Sequence, residues 1–171
     1  MPNAREIIEA LGLQPHPIEG GFFRETYRSG GVIPAASLPG GYQSRADRSY
    51  GTAIYYLLTA DTFSEMHRLP TEEVFHFYLG SPMRMLQLFP DGNGREIIIG
   101  PDVLAGQQPQ VVVPPGVWQG SRLEPGGEFV LLGATMAPGF DYADYEQGRR
   151  SELMAQYPEY AEAIRQLTRI L

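Results

Sequence analysis

The sequence predicts an all-β domain, a sandwich or barrel, with one helix before it and helices after it. Three observations carry that expectation. Between Phe22 and Met136 the chain breaks into nine short runs rich in Val, Ile, Phe and Tyr, separated by Gly, Pro and Asp. The connectors SP, PDGNG, PPG and EPGG have tight-turn chemistry, which joins antiparallel neighbours rather than helix crossovers. Outside that region the apolar residues recur at helical spacing.

Taken in order, Asn3 is a good N-cap for a helix over Ala4 to Leu11, where Ile7, Ile8 and Leu11 share a stripe and Gly12 supplies a stop. The expected strands are FFRETY, TAIYYLLT, TFSEMHRL, EVFHFYL, MRMLQLF, REIII, QVVV, GVWQGSRL and EFVLLGATM. Between the first two lies a Gly-, Ser- and Pro-rich insertion, Arg28 to Gly51, which reads as a flap or as an arm that packs on a partner. After APGFDYADYEQG the helical pattern returns in RRSELMAQY and, beyond Pro158, in EYAEAIRQLTRIL, with Tyr160, Ile164, Leu167 and Leu171 as its apolar stripe. With no repeat and no low-complexity tract, residues 1–171 read as a single domain: a barrel over about 20–138 and a C-terminal helical extension over about 148–171.

Composition removes several chemistries. The 171 residues, 43% of them hydrophobic, suffice for one well-buried core. Cysteine is absent, which excludes disulfides, thiolate nucleophiles and zinc fingers, and every basic residue is Arg, which excludes a Schiff-base or phosphate-loop lysine. The net charge is −7 and only Arg149 and Arg150 are adjacent, so no nucleic acid is expected as partner. No run approaches the roughly eighteen apolar residues of a membrane span, and MPNAREIIEALGL carries carboxylates where a secretory signal is apolar, so the expected protein is cytoplasmic and has no membrane partner. No Ser stands in a G-x-S-x-G elbow.

Chemistry concentrates in SEMHRLPTEEVFHFYLG, Ser64 to Gly80. Strand alternation puts Phe63, Glu65, His67 and Leu69 on one face, and Glu73, Phe75, Phe77 and Leu79 on one face of the next strand. A turn at Leu69 to Thr71 would make a hairpin that brings His67 and Glu73 side by side, with His76 facing away. A buried His beside a buried Glu is costly unless the two hydrogen-bond or bind something. Three readings follow: a metal site, an acid/base pair in which the carboxylate orients the imidazole, or structure alone. Tyr56, Phe75 and Phe77 are candidates for a ligand-stacking wall or for plain core, and Arg24, just after Gly20 and Gly21, is a candidate ligand contact. Tyr55, Tyr56 and Tyr78 are candidate proton donors. His16 reads as a loop residue, in a segment whose Glu19, Arg24 and Glu25 suit either a ligand or a surface ion pair.

The segment also resembles the cupin barrels, whose first motif has the form G-x5-H-x-H-x3,4-E-x6-G and whose second has the form G-x5-P-x-G-x2-H-x3-N. His67-x-Leu69-x3-Glu73-x6-Gly80 keeps the first spacing with Leu69 in place of a histidine; Pro114-x-Gly116-x2-Gln119 keeps the second with Gln119 in place of a histidine and Leu123 in place of the asparagine. HPIEGGFFRETYR, TAIYYLLT, EEVFHFYLG, VVVPPGVWQG and APGFDYADYEQG look like a small single-domain cupin family catalogued as a domain of unknown function. The resemblance implies a double-stranded β-helix, or jelly-roll, barrel, a homodimer, and a cavity for a small-molecule ligand. It also implies a metal set reduced to His67, Glu73 and Gln119, suited if occupied to one divalent Zn, Ni, Mn or Fe ion. The leading expectation is isomerase or epimerase chemistry on a sugar- or nucleotide-like metabolite, with His67 and Glu73 catalytic and Gln119 and Arg24 on the ligand. The alternatives are a metal-dependent oxygenase or lyase and a cupin that only binds.

Overall fold

The computed structural model describes residues 2–42 and 46–169. Helix α1, Ala4–Leu11, starts with a reciprocal capping box between Asn3 and Glu6 and stops at Gly12, whose φ of 63° favours glycine. All nine expected strands form: β2 (Phe22–Arg28), β5 (Thr52–Thr59), β6 (Phe63–Arg68), β7 (Glu73–Gly80), β8 (Met83–Leu88), β9 (Gly94–Ile99), β10 (Gln110–Val113), β11 (Trp118–Leu123) and β12 (Phe129–Met136). Four two-residue strands join them: β1 (Gln14–Pro15), β3 (Val32–Ile33), β4 (Arg48–Ser49) and β13 (Glu146–Gln147).

A six-stranded sheet, β1-β2-β5-β12-β7-β10, faces a five-stranded sheet, β13-β6-β11-β8-β9, and every ladder between these strands is antiparallel. Of the four tight connectors only PDGNG closes a hairpin, β8 to β9; SP, PPG and EPGG carry the chain from one sheet to the other. The same holds for Leu69 to Glu72. β6 and β7 belong to opposite sheets, so the expected hairpin does not exist and His67 and Glu73 come from opposite walls. A turn that closes a hairpin and a corner that switches sheets have the same local chemistry, and only the distant partners of each strand distinguish them.

Three apolar clusters result. The interior one packs Tyr56, Leu58, Phe75, Met85, Val130 and Leu132 between the sheets. A second lies between the five-stranded sheet and helices α2 (Arg150–Gln156) and α3 (Ala161–Gln166), where Trp118, Leu153, Tyr157, Ile164 and Leu167 meet. Leu171 of the expected stripe lies outside the described residues. The third seats Ile7, Ile8 and Leu11 of α1 on Leu57, Phe129 and Leu131 of the six-stranded sheet. β5 and β12 are therefore apolar on both faces, consistent with central strands covered twice. The insertion after β2 is held on its own barrel: the Tyr42 and Thr71 hydroxyls hydrogen-bond, and Arg48 pairs with Asp144, their side chains 1% and 4% exposed. Residues 43–45 of this arm lie outside the described residues.

Candidate functional site

β1 and β2 are joined by a tight loop, His16 to Gly21, closed by the His16 amide donating to the Gly21 carbonyl at 2.9 Å. Gly20 has φ of 103°, and a Cβ there would lie 2.4 Å from the Phe63 carbonyl oxygen, so the loop presses directly on β6. The Tyr56 hydroxyl donates to the Gly20 carbonyl at 2.8 Å, and the Glu65 amide to the Glu19 carbonyl at 2.9 Å. These contacts turn the Glu19 side chain into the barrel, where Ser64 Oγ donates to its carboxylate. Gly20→Ala is expected to cost at least about 1 kcal/mol, since alanine pays for both the positive φ and the clash; urea denaturation checks it, and an unchanged midpoint would mean that the loop does not press on β6.

Glu19 Oε2 stands 3.9 Å from Nε2 of His16 and 3.9 Å from Nε2 of His67. The two rings are opposite in kind. His67 Nδ1 lies 2.7 Å from the Glu65 carbonyl oxygen, which only accepts, so Nδ1 carries a proton and it is Nε2 that faces inward, as a lone pair in the neutral form of the ring. His16 Nδ1 accepts the amides of Ile18 and Glu19 at 3.3 and 2.9 Å, so its Nε2 carries the proton. Burial pushes His16 below the ordinary imidazole value, with Glu19 opposing that shift and His67 adding to it. Tyr145 stacks on His67, ring centroids 4.8 Å apart and planes 17° apart.

Glu73 reaches the same space from β7. Gln119 Nε2 donates to its Oε2 at 2.6 Å. Burial, and then the Glu19 charge, raise the Glu73 carboxyl from 4.5 to about 7, while His67 and the Gln119 hydrogen bond pull the other way. A carboxyl near 7 exchanges protons at neutral pH. Between pH 4.5 and 7 the folded state keeps this proton and the unfolded state has lost it, so stability falls as pH rises through that window, by roughly 3 kcal/mol in all. Glu73→Gln is therefore expected to flatten this part of the stability–pH curve, becoming more stable than wild type above pH 7 but not near pH 4. Parallel curves for the two proteins would show that Glu73 titrates normally.

The cavity has a volume of about 70 Å³, within about 560 Å³ of atom-free space once its open mouth is counted. Phe23, Ile54, Leu69, Ala134, Met136 and Phe140 form its apolar wall; His16, Glu19, His67 and Glu73 its polar part; Glu25, Arg28, Thr52 and Tyr142 complete it. Among the expected site residues, His67 and Glu73 line it and Gln119 supports Glu73. Tyr56, Phe75 and Phe77 belong to the interior core rather than to this wall. Arg24 is exposed on the outer face, its guanidinium 5.8 Å from the Tyr55 ring centroid. Tyr55 and Tyr78 pack edge to face with each other, and His76 bonds Thr135 at 3.0 Å, away from the cavity.

Bulges explain what alternation missed. In β6 the register shifts opposite Gln119 and Ser121, so Ser64 rather than Glu65 shares the interior with His67, and Glu65 instead meets Arg169 at 2.5 Å. In β2 a shift between Glu25 and Tyr27 lets Arg28 join Glu25 at the cavity. The roles of Glu19 and His16 were open in the sequence; the paired glycines that follow Glu19 were the available signal. Phe140, Tyr142 and Tyr145 had none beyond the aromatic density of their loop.

The family described as Cupin superfamily (DUF985) matches residues 5–148. The chain belongs to this cupin family. Among solved structures, this cupin is similar to protein SO0799 from Shewanella oneidensis, with 33% identity, TM-score 0.87 and all of both chains covered. It is similar also to a hypothetical protein from Leishmania major, with 28% identity, TM-score 0.87, and 99% and 100% coverage. Uncharacterized protein YML079W of Saccharomyces cerevisiae is 32% identical over 133 residues, 74% of this chain; the match spans 66% of the yeast protein, just under two thirds of its length.

The metal that the cupin motifs imply does not fit the residues present. Leu69 occupies one ligand position, Gln119 turns its Nε2 donor to Glu73, and the Nε2 of His16 carries its proton. Among the described residues no three His, Cys, Asp or Glu side chains are grouped so that they could hold a metal ion.

Proposed function

We propose that this cupin binds a small polar metabolite in its barrel cavity and moves a proton on it, as an isomerase or epimerase does. His67 is the base and Glu73 the proton partner on the facing wall. The observation that carries this reading is the tautomer imposed by the Glu65 carbonyl, which leaves the Nε2 lone pair of a buried ring directed into a cavity. The Glu73 carboxyl, raised to about 7, supports it by being able to give or take a proton at neutral pH. Carbon acids next to a carbonyl, as in sugars and their derivatives, are the substrates such a pair suits. The test is solvent-deuterium incorporation, followed by NMR, into a panel of hydroxy-aldehydes, hydroxy-ketones and sugars incubated with the wild-type protein. Incorporation next to the carbonyl is the expected result. Binding in the cavity with no incorporation for any member would assign the protein to ligand binding without turnover.

A further inference from the structure

We propose that the ligand of the cavity carries a positive charge: it is a small amine whose ammonium group sits between Glu19 and His67, not a phosphate- or carboxylate-bearing metabolite. The inference takes from the preceding reading only that this cavity is the binding site; an ammonium donating to His67 Nε2 occupies the lone pair that proton transfer uses, so the amine is a ligand that blocks the base rather than a substrate for it.

The first argument is a pair of facing acceptors. Glu19 Oε2 and the His67 Nε2 lone pair are 3.9 Å apart, and neither has a proton for the other when the ring is neutral. One nitrogen can stand at about 2.9 Å from both, and an ammonium group, three donors and no lone pair, satisfies the two at once.

The second argument is charge. The cavity carries Glu19, Glu25 and Glu73, the last holding its proton for part of the time at neutral pH, against a single Arg among the described lining residues, Arg28. Arg28 is committed: its Nε and Nη2 donate to the two oxygens of Glu25 at 2.9 and 2.7 Å, and Nη2 also reaches the Phe140 carbonyl at 3.1 Å. Outside the cavity lining, Arg48, Arg68 and Arg169 are each matched by a carboxylate, Asp144, Glu146 and Glu65. The chain has no lysine. An anionic ligand would enter a low-dielectric space beside carboxylates with no countercharge, whereas an ammonium offsets Glu19.

The third argument is the wall. Phe23 lies 4.6 Å from the His16 ring, and Phe140 and Tyr142 meet edge to face at 5.0 Å, so aromatic surface flanks the acidic end. Such surface favours a cation with an apolar or ring-shaped body.

Benzylamine, benzyl alcohol and benzoate, alike in shape and different in charge, are the probes. Ring resonances of the three histidines read out binding, with His76, bonded to Thr135 on the outer face, as internal control. Benzylamine is expected to move His16 and His67 but not His76, and to bind about tenfold or more tighter than benzyl alcohol; benzoate is expected to move none. Glu19→Gln, of the same shape and checked for folding by an unchanged His76 signal, is expected to abolish the preference for the amine. Benzyl alcohol or benzoate binding as tightly as benzylamine, a preference that survives in Glu19→Gln, or no benzylamine response at millimolar concentration would overturn the proposal. Deuterium incorporation reads the proton-transfer function independently, so failure of one leaves the other standing.

Discussion

Asp144→Ala is expected to destabilise the protein by about 3–5 kcal/mol, because it leaves the Arg48 guanidinium buried without its countercharge. The pair is bidentate, Nε to Oδ2 and Nη2 to Oδ1, both at 2.7 Å, and Nη1 is occupied by the carbonyls of Ala46 and Asp47 at 2.6 and 3.2 Å. With the side chains 1% and 4% exposed, water is not positioned to replace the lost carboxylate. The combined Arg48→Met and Asp144→Leu substitution removes both charges and is expected to recover most of the loss, since the desolvation penalty goes with the pair. Urea denaturation of wild type, single and double variants measures this. A single-variant loss below about 1 kcal/mol would mean that the arm is not anchored at Arg48. The consequence reaches the cavity: Asp144 directly precedes Tyr145, which stacks on His67, and Glu146, which pairs with Arg68. Loosening this anchor is therefore expected to weaken ligand binding as well as stability.

His67→Ala is expected to lower the rate of deuterium incorporation by about 10²–10⁴-fold, the usual contribution of a positioned general base. His67→Gln is expected to lose as much, since a neutral amide keeps much of the ring's volume and polarity but cannot take a proton. The two variants together separate loss of the base from loss of packing, because His67 is 1% exposed and its removal to alanine also opens a cavity beneath Tyr145. Ligand binding, read from the His16 resonance, is expected to persist in His67→Gln. A variant that keeps more than about a tenth of the wild-type rate would place the base elsewhere.

Much of the fold was legible before any coordinate. The nine runs became nine strands because each is bounded by residues that end extended structure, and α1 formed where Asn3, the Ile7/Ile8/Leu11 stripe and Gly12 place it. The cupin spacing pointed to His67, Glu73 and Gln119, and all three are buried around one space. The site was less legible. Glu19 lies 48 residues before His67 by their numbers and meets it only because Gly20 and Gly21 let the first loop press on β6. Arg24 shows the opposite case: its local sequence suits ligand contact, yet its strand position turns it outward.

By itself the sequence determined the strand and helix periods, the capped ends, and an inventory without cysteine or lysine that leaves histidine, carboxylate and tyrosine to do any chemistry. Only the tertiary structure decided that β6 and β7 lie in opposite sheets, that Ser64 replaces Glu65 beside His67, and that Arg28 turns in to meet Glu25. The physical reason is that periodicity is a property of neighbours along the chain, whereas sheet partnership is set by residues far apart in it. One inserted residue in a ladder exchanges the two faces for everything that follows, at little cost to the local pattern.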